Sequence, residues 1–285
     1  MQGRILKGIG GFYYIETEKG ILECKARGIF RKKGLTPLAG DMCTVTEEGS
    51  IEEILPRNNA FVRPPVANVD NLIIVFAAAQ PAPAFEVVDK LTVAAESRGV
   101  KPCIVINKTD IESAEKVAEI YEKTGYPVLR VSAKTGEGTQ RLHEILSDGI
   151  SVFAGCSGVG KTSLMNIILP DAMLKTGRVS EKINRGRHTT REVMLLPCGK
   201  NGYIADTPGF SSLEIDEIRA EELEMYFPEF ADFPTECRFR GCSHVNEPGC
   251  RVKQAVEDGG ISRSRYESYV EFYNRLKNIK EWERQ

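Results

Sequence analysis

Residues 155–162 read Gly-Cys-Ser-Gly-Val-Gly-Lys-Thr and lie between an apolar, strand-like segment (ISVFA, 150–154) and a helical one (KTSLMNIIL, 161–169). The pattern G-x-x-x-x-G-K-[ST] works only where a strand turns tightly into a helix, so it demands an α/β sheet around it. Gly155, Gly158 and Gly160 let backbone N–H groups turn inward around a phosphate, with Cys156, Ser157 and Val159 filling the loop. Lys161 is placed to set a point charge on the outer phosphate oxygens and Thr162 to ligate Mg²⁺, with Ser163 following at the helix start.

A second motif lies upstream. Asn107-Lys108-Thr109-Asp110 follows the apolar strand KPCIVI, and 44 residues separate Asp110 from Gly155. A carboxylate at Asp110 can accept from guanine N1–H and the 2-amino group, a donor pair that adenine lacks. The Lys108 stem can lie along the base, and Asn107 can pin the loop. Alone, the tetrapeptide reads equally as a helix start capped by Thr109 or Asp110. Twenty-two residues beyond Asp110, at the end of another apolar strand, comes Ser132-Ala133-Lys134, a second loop suited to guanine through a backbone amide. Two such loops at successive strand ends favour the guanine reading.

Beyond the phosphate loop, Asp206-Thr207-Pro208-Gly209 closes the strand GYIA. Asp206 is placed to hold a Mg²⁺-bound water and the Gly209 amide to touch a γ-phosphate. Between the two motifs lies the polar loop GRVSEKINRGRHTTR, in which Thr189 or Thr190 completes the Mg²⁺ shell. Phe210 stands where signalling GTPases carry a water-orienting Gln. His188 is the candidate substitute, with a structural loop histidine as the alternative. The order is base loop, second base loop, phosphate loop, switch loop, Asp-Thr-Pro-Gly. A sheet cut at a surface loop and re-joined at its old termini keeps its strand neighbours, so a circularly permuted GTP-binding domain accounts for it.

Near the C-terminus, Cys237-x4-Cys242-x-His244-x5-Cys250 supplies three thiolates and an imidazole, a closed tetrahedral set suited to one structural zinc. Cys24, Cys43, Cys103, Cys156 and Cys198 are scattered singly and read as reduced thiols. His143 reads as a surface or packing residue of a helix.

The 285 residues suit three regions: a small barrel with the start of a linker over 1–62, the permuted α/β domain over 63–215, and a zinc-binding, largely helical region over 216–285. Five strand-like segments fall in residues 3–56, a pattern that fits an oligonucleotide-binding barrel and an SH3-like barrel alike. Residues 57–70, with paired prolines, read as a linker. The alternation of apolar strands and helices after residue 69 indicates a mostly parallel, doubly wound sheet. No apolar run reaches the roughly 18 residues of a membrane span, and the start lacks a secretion signal. A cytoplasmic, monomeric protein without membrane contact is expected.

The net charge of −2 excludes general electrostatic binding of nucleic acid, so any RNA contact comes from local patches. The segment KARGIFRKKG (25–34) carries five basic residues in a barrel loop, and Arg178, Lys182, Arg185, Arg187 and Arg191 add to the switch loop. Phe12, Tyr13 and Tyr14 offer stacking faces. Together the barrel, the motif order and the Cys237/Cys242/His244/Cys250 set resemble the ribosome small subunit-dependent GTPase A family, circularly permuted GTPases of bacterial ribosome maturation. The resemblance covers essentially the whole chain. It implies a GTP/GDP- and magnesium-dependent hydrolase, stimulated by the small ribosomal subunit, whose barrel and zinc region grip that subunit's rRNA. Two other readings are a P-loop kinase of a small acceptor and a nucleotide-gated binding module without useful turnover.

Overall fold

The structure, a computed structural model, describes residues 1–32, 34–169, 193–206, 210, 213–231, 233 and 237–283. The chain divides into two compact units, neither continuous in sequence. One comprises Met1–Leu72, Thr139–Phe153 and Thr162–Phe210, the other Ile73–Gly138, Ala154–Lys161 and Ser211–Gln285.

The first unit begins with β1 (Gln2–Ile9), β2 (Phe12–Thr17), β3 (Gly20–Ala26), β4 (Met42–Val45) and β5 (Ser50–Ile54). Antiparallel β1–β2, β2–β3, β4–β5 and β1–β4 pairs and a parallel β3–β5 pair close them into a ring. That closure selects the oligonucleotide-binding type over the SH3-like alternative, because β1 pairs on both sides and the last two strands return across the first and third. Ile5, Ile15, Cys24, Cys43, Val45 and Ile51 fill the interior. Residues 28–32 of the basic segment, expected as loop, form α1 (Gly28–Lys32), and Phe30 on it plugs the same core.

The expected linker carries a hairpin of β6 (Ala60–Val62) and β7 (Pro65–Ala67). Asn59 closes its base by accepting from Val69 N–H and donating to the Val69 carbonyl, both at 2.9 Å. Further along, α4 (Thr139–Leu146) buries Leu142 and Leu146 one turn apart, and β11 (Asp148–Ala154) lies parallel to β13 (Asn201–Asp206). β12 (Met194–Cys198) turns back on β13 through Gly199-Lys200 and is antiparallel to it, a direction that an apolar run does not reveal. β12 also pairs with β1 of the barrel at Lys7 and Met194. Barrel and sheet edge are thus one hydrogen-bonded surface, reinforced where the Tyr203 hydroxyl meets Glu16 and Arg4 covers the Tyr203 ring at 5.2 Å.

The second unit contains β8 (Asn71–Ala77) from Ile73 onward, α2 (Phe85–Glu96), β9 (Lys101–Asn107), α3 (Glu115–Glu122) and β10 (Val128–Arg130), with strand order β10-β9-β8 and β9 parallel to β10. β8 is buried on both faces, as its unbroken apolar run requires. Two 3-10 turns (Ala220–Tyr226 and Pro228–Phe230) precede α6 (Arg251–Glu257) and α7 (Arg263–Lys277). Arg265 of α7 is fully buried. It donates to Glu229 Oε1 at 2.7 Å, to Asp89 Oδ1 at 2.8 Å and to Thr92 Oγ1 at 3.0 Å, while Tyr121 donates to the same Asp89 oxygen. Desolvating these charges costs several kcal/mol each (order of magnitude), and only a bonded set of this kind offsets it. Three distant stretches of chain are thereby locked to one guanidinium. The C-terminal helices therefore pack onto the α/β layer as part of its core. Among the described residues no helix is long and apolar enough to cross a membrane.

Candidate functional site

The phosphate loop leaves β11 at Ala154 and enters α5 (Lys161–Ile168). Two of its glycines are sterically obligatory. A Cβ on Gly155, at φ +129°, would lie 2.0 Å from the Val75 carbonyl oxygen of β8, and one on Gly160, at φ +97°, 2.2 Å from Asn107 Nδ2. Val159 is buried, whereas Ser157 and Gly158 are exposed, as are Thr162 and Ser163 on the first turn of α5. Lys161 Nζ donates to the Gly155 and Cys156 carbonyls, both at 2.7 Å. Burial lowers its pKa, so the ammonium waits in a poorly solvated place where an anion would restabilise it.

Asn107 ends β9 and is buried. Its Nδ2 donates to the Val159 carbonyl at 2.8 Å, and its Oδ1 accepts from the Ala133 N–H at 3.0 Å. One side chain therefore joins the phosphate loop to both candidate base loops. Lys108 holds a left-handed backbone at φ +65°, and its ammonium reaches the Gln80 carbonyl. The Thr109 N–H bonds to the Val131 carbonyl at 3.3 Å. Ser132 donates to Asp110 Oδ1 at 2.7 Å and accepts from the amides of Lys134 and Thr135, leaving Asp110 Oδ2 facing Lys134 Nζ at 3.9 Å. These two contacts fix the direction of the carboxylate.

Asp206 ends β13, and desolvation raises its pKa. Phe210 is buried edge-on against Phe61, ring centroids 5.1 Å apart. His188, Thr189, Thr190 and Gly209 lie outside the described residues, as do Arg178, Lys182, Arg185, Arg187 and Arg191.

The sulfurs of Cys237, Cys242 and Cys250 and a ring nitrogen of His244 all lie within 4.8 Å of one another. His244 Nδ1 is 3.3 Å from Cys250 Sγ and 3.7 Å from Cys237 Sγ. Zn–S and Zn–N bonds of about 2.3 and 2.0 Å at tetrahedral angles give edges of roughly 3.5 Å, so the donors fit zinc. Burial pushes the Cys242 thiol up to about 12 and raises Cys250 as well. Those protons must leave for a metal to bind. The Tyr266 and Tyr269 hydroxyls of α7 donate to the His244 and Ser243 carbonyls at 2.8 and 2.9 Å, supporting a His244 backbone at φ +59°. His143 bonds to Ser147 within α4 and its C-terminal turn. The five scattered cysteines are unpaired thiols.

Sequence reading missed two groups here. Glu224 bonds His244 Nε2 at 2.7 Å from 20 residues upstream, and Arg265 sits in a run of alternating charge that looks like a solvated face. Neither carries a motif.

Comparison with known proteins is consistent in all three directions. The RsgA GTPase family matches residues 54–216 and the RsgA N-terminal domain residues 2–52. The "Small ribosomal subunit biogenesis GTPase RsgA" of Caldanaerobacter subterraneus is 52% identical, over 100% of this chain and 97% of the relative. That of Ruminiclostridium cellulolyticum is 47% identical over 98% and 95%. Among solved structures, YjeQ from Thermotoga maritima superposes with a TM-score of 0.84 at 39% identity, covering 98% of this chain and 99% of that one. YloQ, described as a circularly permuted GTPase, gives 0.82 at 38% identity, covering 98% and 96%.

Proposed function

Since the chain belongs to the RsgA GTPase family, we propose that it hydrolyses GTP to GDP and phosphate as a maturation factor of the small ribosomal subunit, with these loops as its nucleotide site. The observation that carries the reading is Asn107. Its two bonds make one site of loops whose sequence order is reversed from that of most GTP-binding domains.

Asp110 selects guanine, the loop Ser132-Ala133-Lys134 meets the base carbonyl through a backbone amide, and Lys108 lies along the ring. The amides of residues 155–161 and the Lys161 ammonium hold the phosphates. Thr162 and one of Thr189 and Thr190 would ligate magnesium and Asp206 would hold a water on it, and the ion would supply positive charge to the phosphates. Cys237, Cys242, His244 and Cys250 hold one structural zinc. Phe210 faces Phe61 and offers no group to a water, so the isolated protein turns over slowly. His188 is the residue we assign to that water.

Contact with rRNA is supported by cation–aromatic pairs on the barrel, Lys7 over Tyr14 at 4.6 Å and Lys25 over Phe12 at 4.8 Å. On the metal-bearing loop, Arg238 lies over the exposed Phe239 at 5.5 Å.

GTP turnover measured with and without small ribosomal subunits tests the reading. Slow basal hydrolysis, accelerated by the subunit, is expected. A phosphorylated small acceptor would show a kinase, and no turnover in either condition a binding module. His188→Ala should remove about 10²–10⁴-fold of the stimulated rate and spare GTP affinity. Full stimulation in that variant would assign water positioning to RNA or backbone instead.

A further inference from the structure

His244 reaches the cysteine cluster through Nδ1, and its other nitrogen is not left to solvent. Nε2 lies 2.7 Å from Glu224 Oε2, and the imidazole is 2% exposed. With Nδ1 facing two sulfurs, Nε2 must carry the proton and donate it to the carboxylate. Glu224 belongs to the first 3-10 turn, 13 residues before the first of the four donors, and is not itself one of them. The turn is held in place independently, by Leu223, which is fully buried, and by Phe227 stacked edge-on against Tyr269 at 5.2 Å.

We propose that Glu224 is a positioning residue of the metal site. It fixes the Nδ1-ligating tautomer of His244, and its charge makes that imidazole a stronger donor than a solvent-facing histidine would be. The two tyrosine hydroxyls hold the backbone of residues 243 and 244, and Glu224 holds the ring. The ligand is thereby preset from α7 on one side and from the 3-10 turn on the other.

This inference rests on the zinc reading of the four donors, and the test separates the two. Full-length wild-type protein, Glu224→Ala and Glu224→Gln are purified without chelator, and zinc content and affinity are measured by competition with a chromophoric chelator. Cobalt substitution adds a visible spectrum sensitive to the donor field, and binding of a fluorescent GDP analogue reports folding. Wild-type protein should carry zinc. Glu224→Ala should lose about 10- to 100-fold in affinity with a changed cobalt spectrum and unchanged nucleotide binding. Glu224→Gln, an uncharged acceptor, should fall between the two. If Glu224→Ala does not fold, the Gln variant decides, and wild-type affinity in it overturns the role. Wild-type affinity and spectrum in Glu224→Ala overturn the positioning role while leaving the zinc reading standing. Absence of zinc from the wild type removes both.

Discussion

The nucleotide loops and the metal-bearing loop reach order by opposite means. In the first, backbone approaches backbone: Gly155 lies against the Val75 carbonyl, Gly160 against the Asn107 amide, and Asn107 closes the set with neutral hydrogen bonds. Residues 237–250 bury little beyond the donors themselves, and Phe239 on them is 45% exposed. Their support comes from below, through the aromatic cluster of Phe227, Phe230 and Tyr269 and the ion set around Arg265. Short-range steric rules can be written as a motif, whereas support by packing and charge is spread over the chain.

That contrast can be broken at either end. The largest effect should come from Cys242→Ser, which takes one of four donors from the site. Elemental analysis should fall from about one zinc per chain to near none, with the 237–250 loop exchanging amide hydrogens freely and GTP binding intact. Loss of GTP binding would show that the two regions are not independent. Next comes Arg265→Met, which strands Asp89 and Glu229 as buried, unpaired charges. A loss of about 3–5 kcal/mol in urea unfolding is expected, far more than any exposed ion pair of the chain would cost. Asp110→Asn should cost about 1.5–3 kcal/mol of GTP affinity, the worth of a charged hydrogen bond, and admit xanthosine triphosphate. Unchanged GTP affinity in a titration would overturn the base-loop assignment.

The smallest effect should lie at Glu247. Although burial opposes it, bonds from the Ser243 hydroxyl and amide and the Asn246 amide hold this carboxyl down to about 2. A depressed folded pKa stabilises above the unfolded value near 4.5 and loses that stabilisation as pH falls toward 2. Glu247→Gln should therefore cost about 1 kcal/mol at neutral pH. The gap to wild type should close between those two pH values, read as a difference so that protonation common to both proteins cancels.

What was legible followed from range. The phosphate loop, the two base loops and the Cys/His spacing each lie within a few residues, where glycine sterics and donor geometry act directly. The barrel strands were visible as alternating segments, but their closure was not, because the β1–β4 and β3–β5 pairings join residues tens of positions apart. α1 falls in the basic segment taken as a barrel loop, although Phe30 anchors it in the core. Glu224 looked like any acidic surface residue, and its meaning depends on one contact with His244.

By itself, the sequence determined the permuted order of the nucleotide motifs, the α/β frame they require and a tetrahedral donor set, since local backbone and ligand chemistry leave few alternatives. Tertiary structure alone decided that Asn107 ties both classes of loop together and that β12 runs antiparallel and joins the barrel. It also decided that the C-terminal helices are held to the α/β layer by a buried arginine. The physical reason is common to these. A charge or amide gains its value from the partners that neutralise it out of water, and those partners stand far away in the chain, as Asp89 does from Arg265, 176 positions apart.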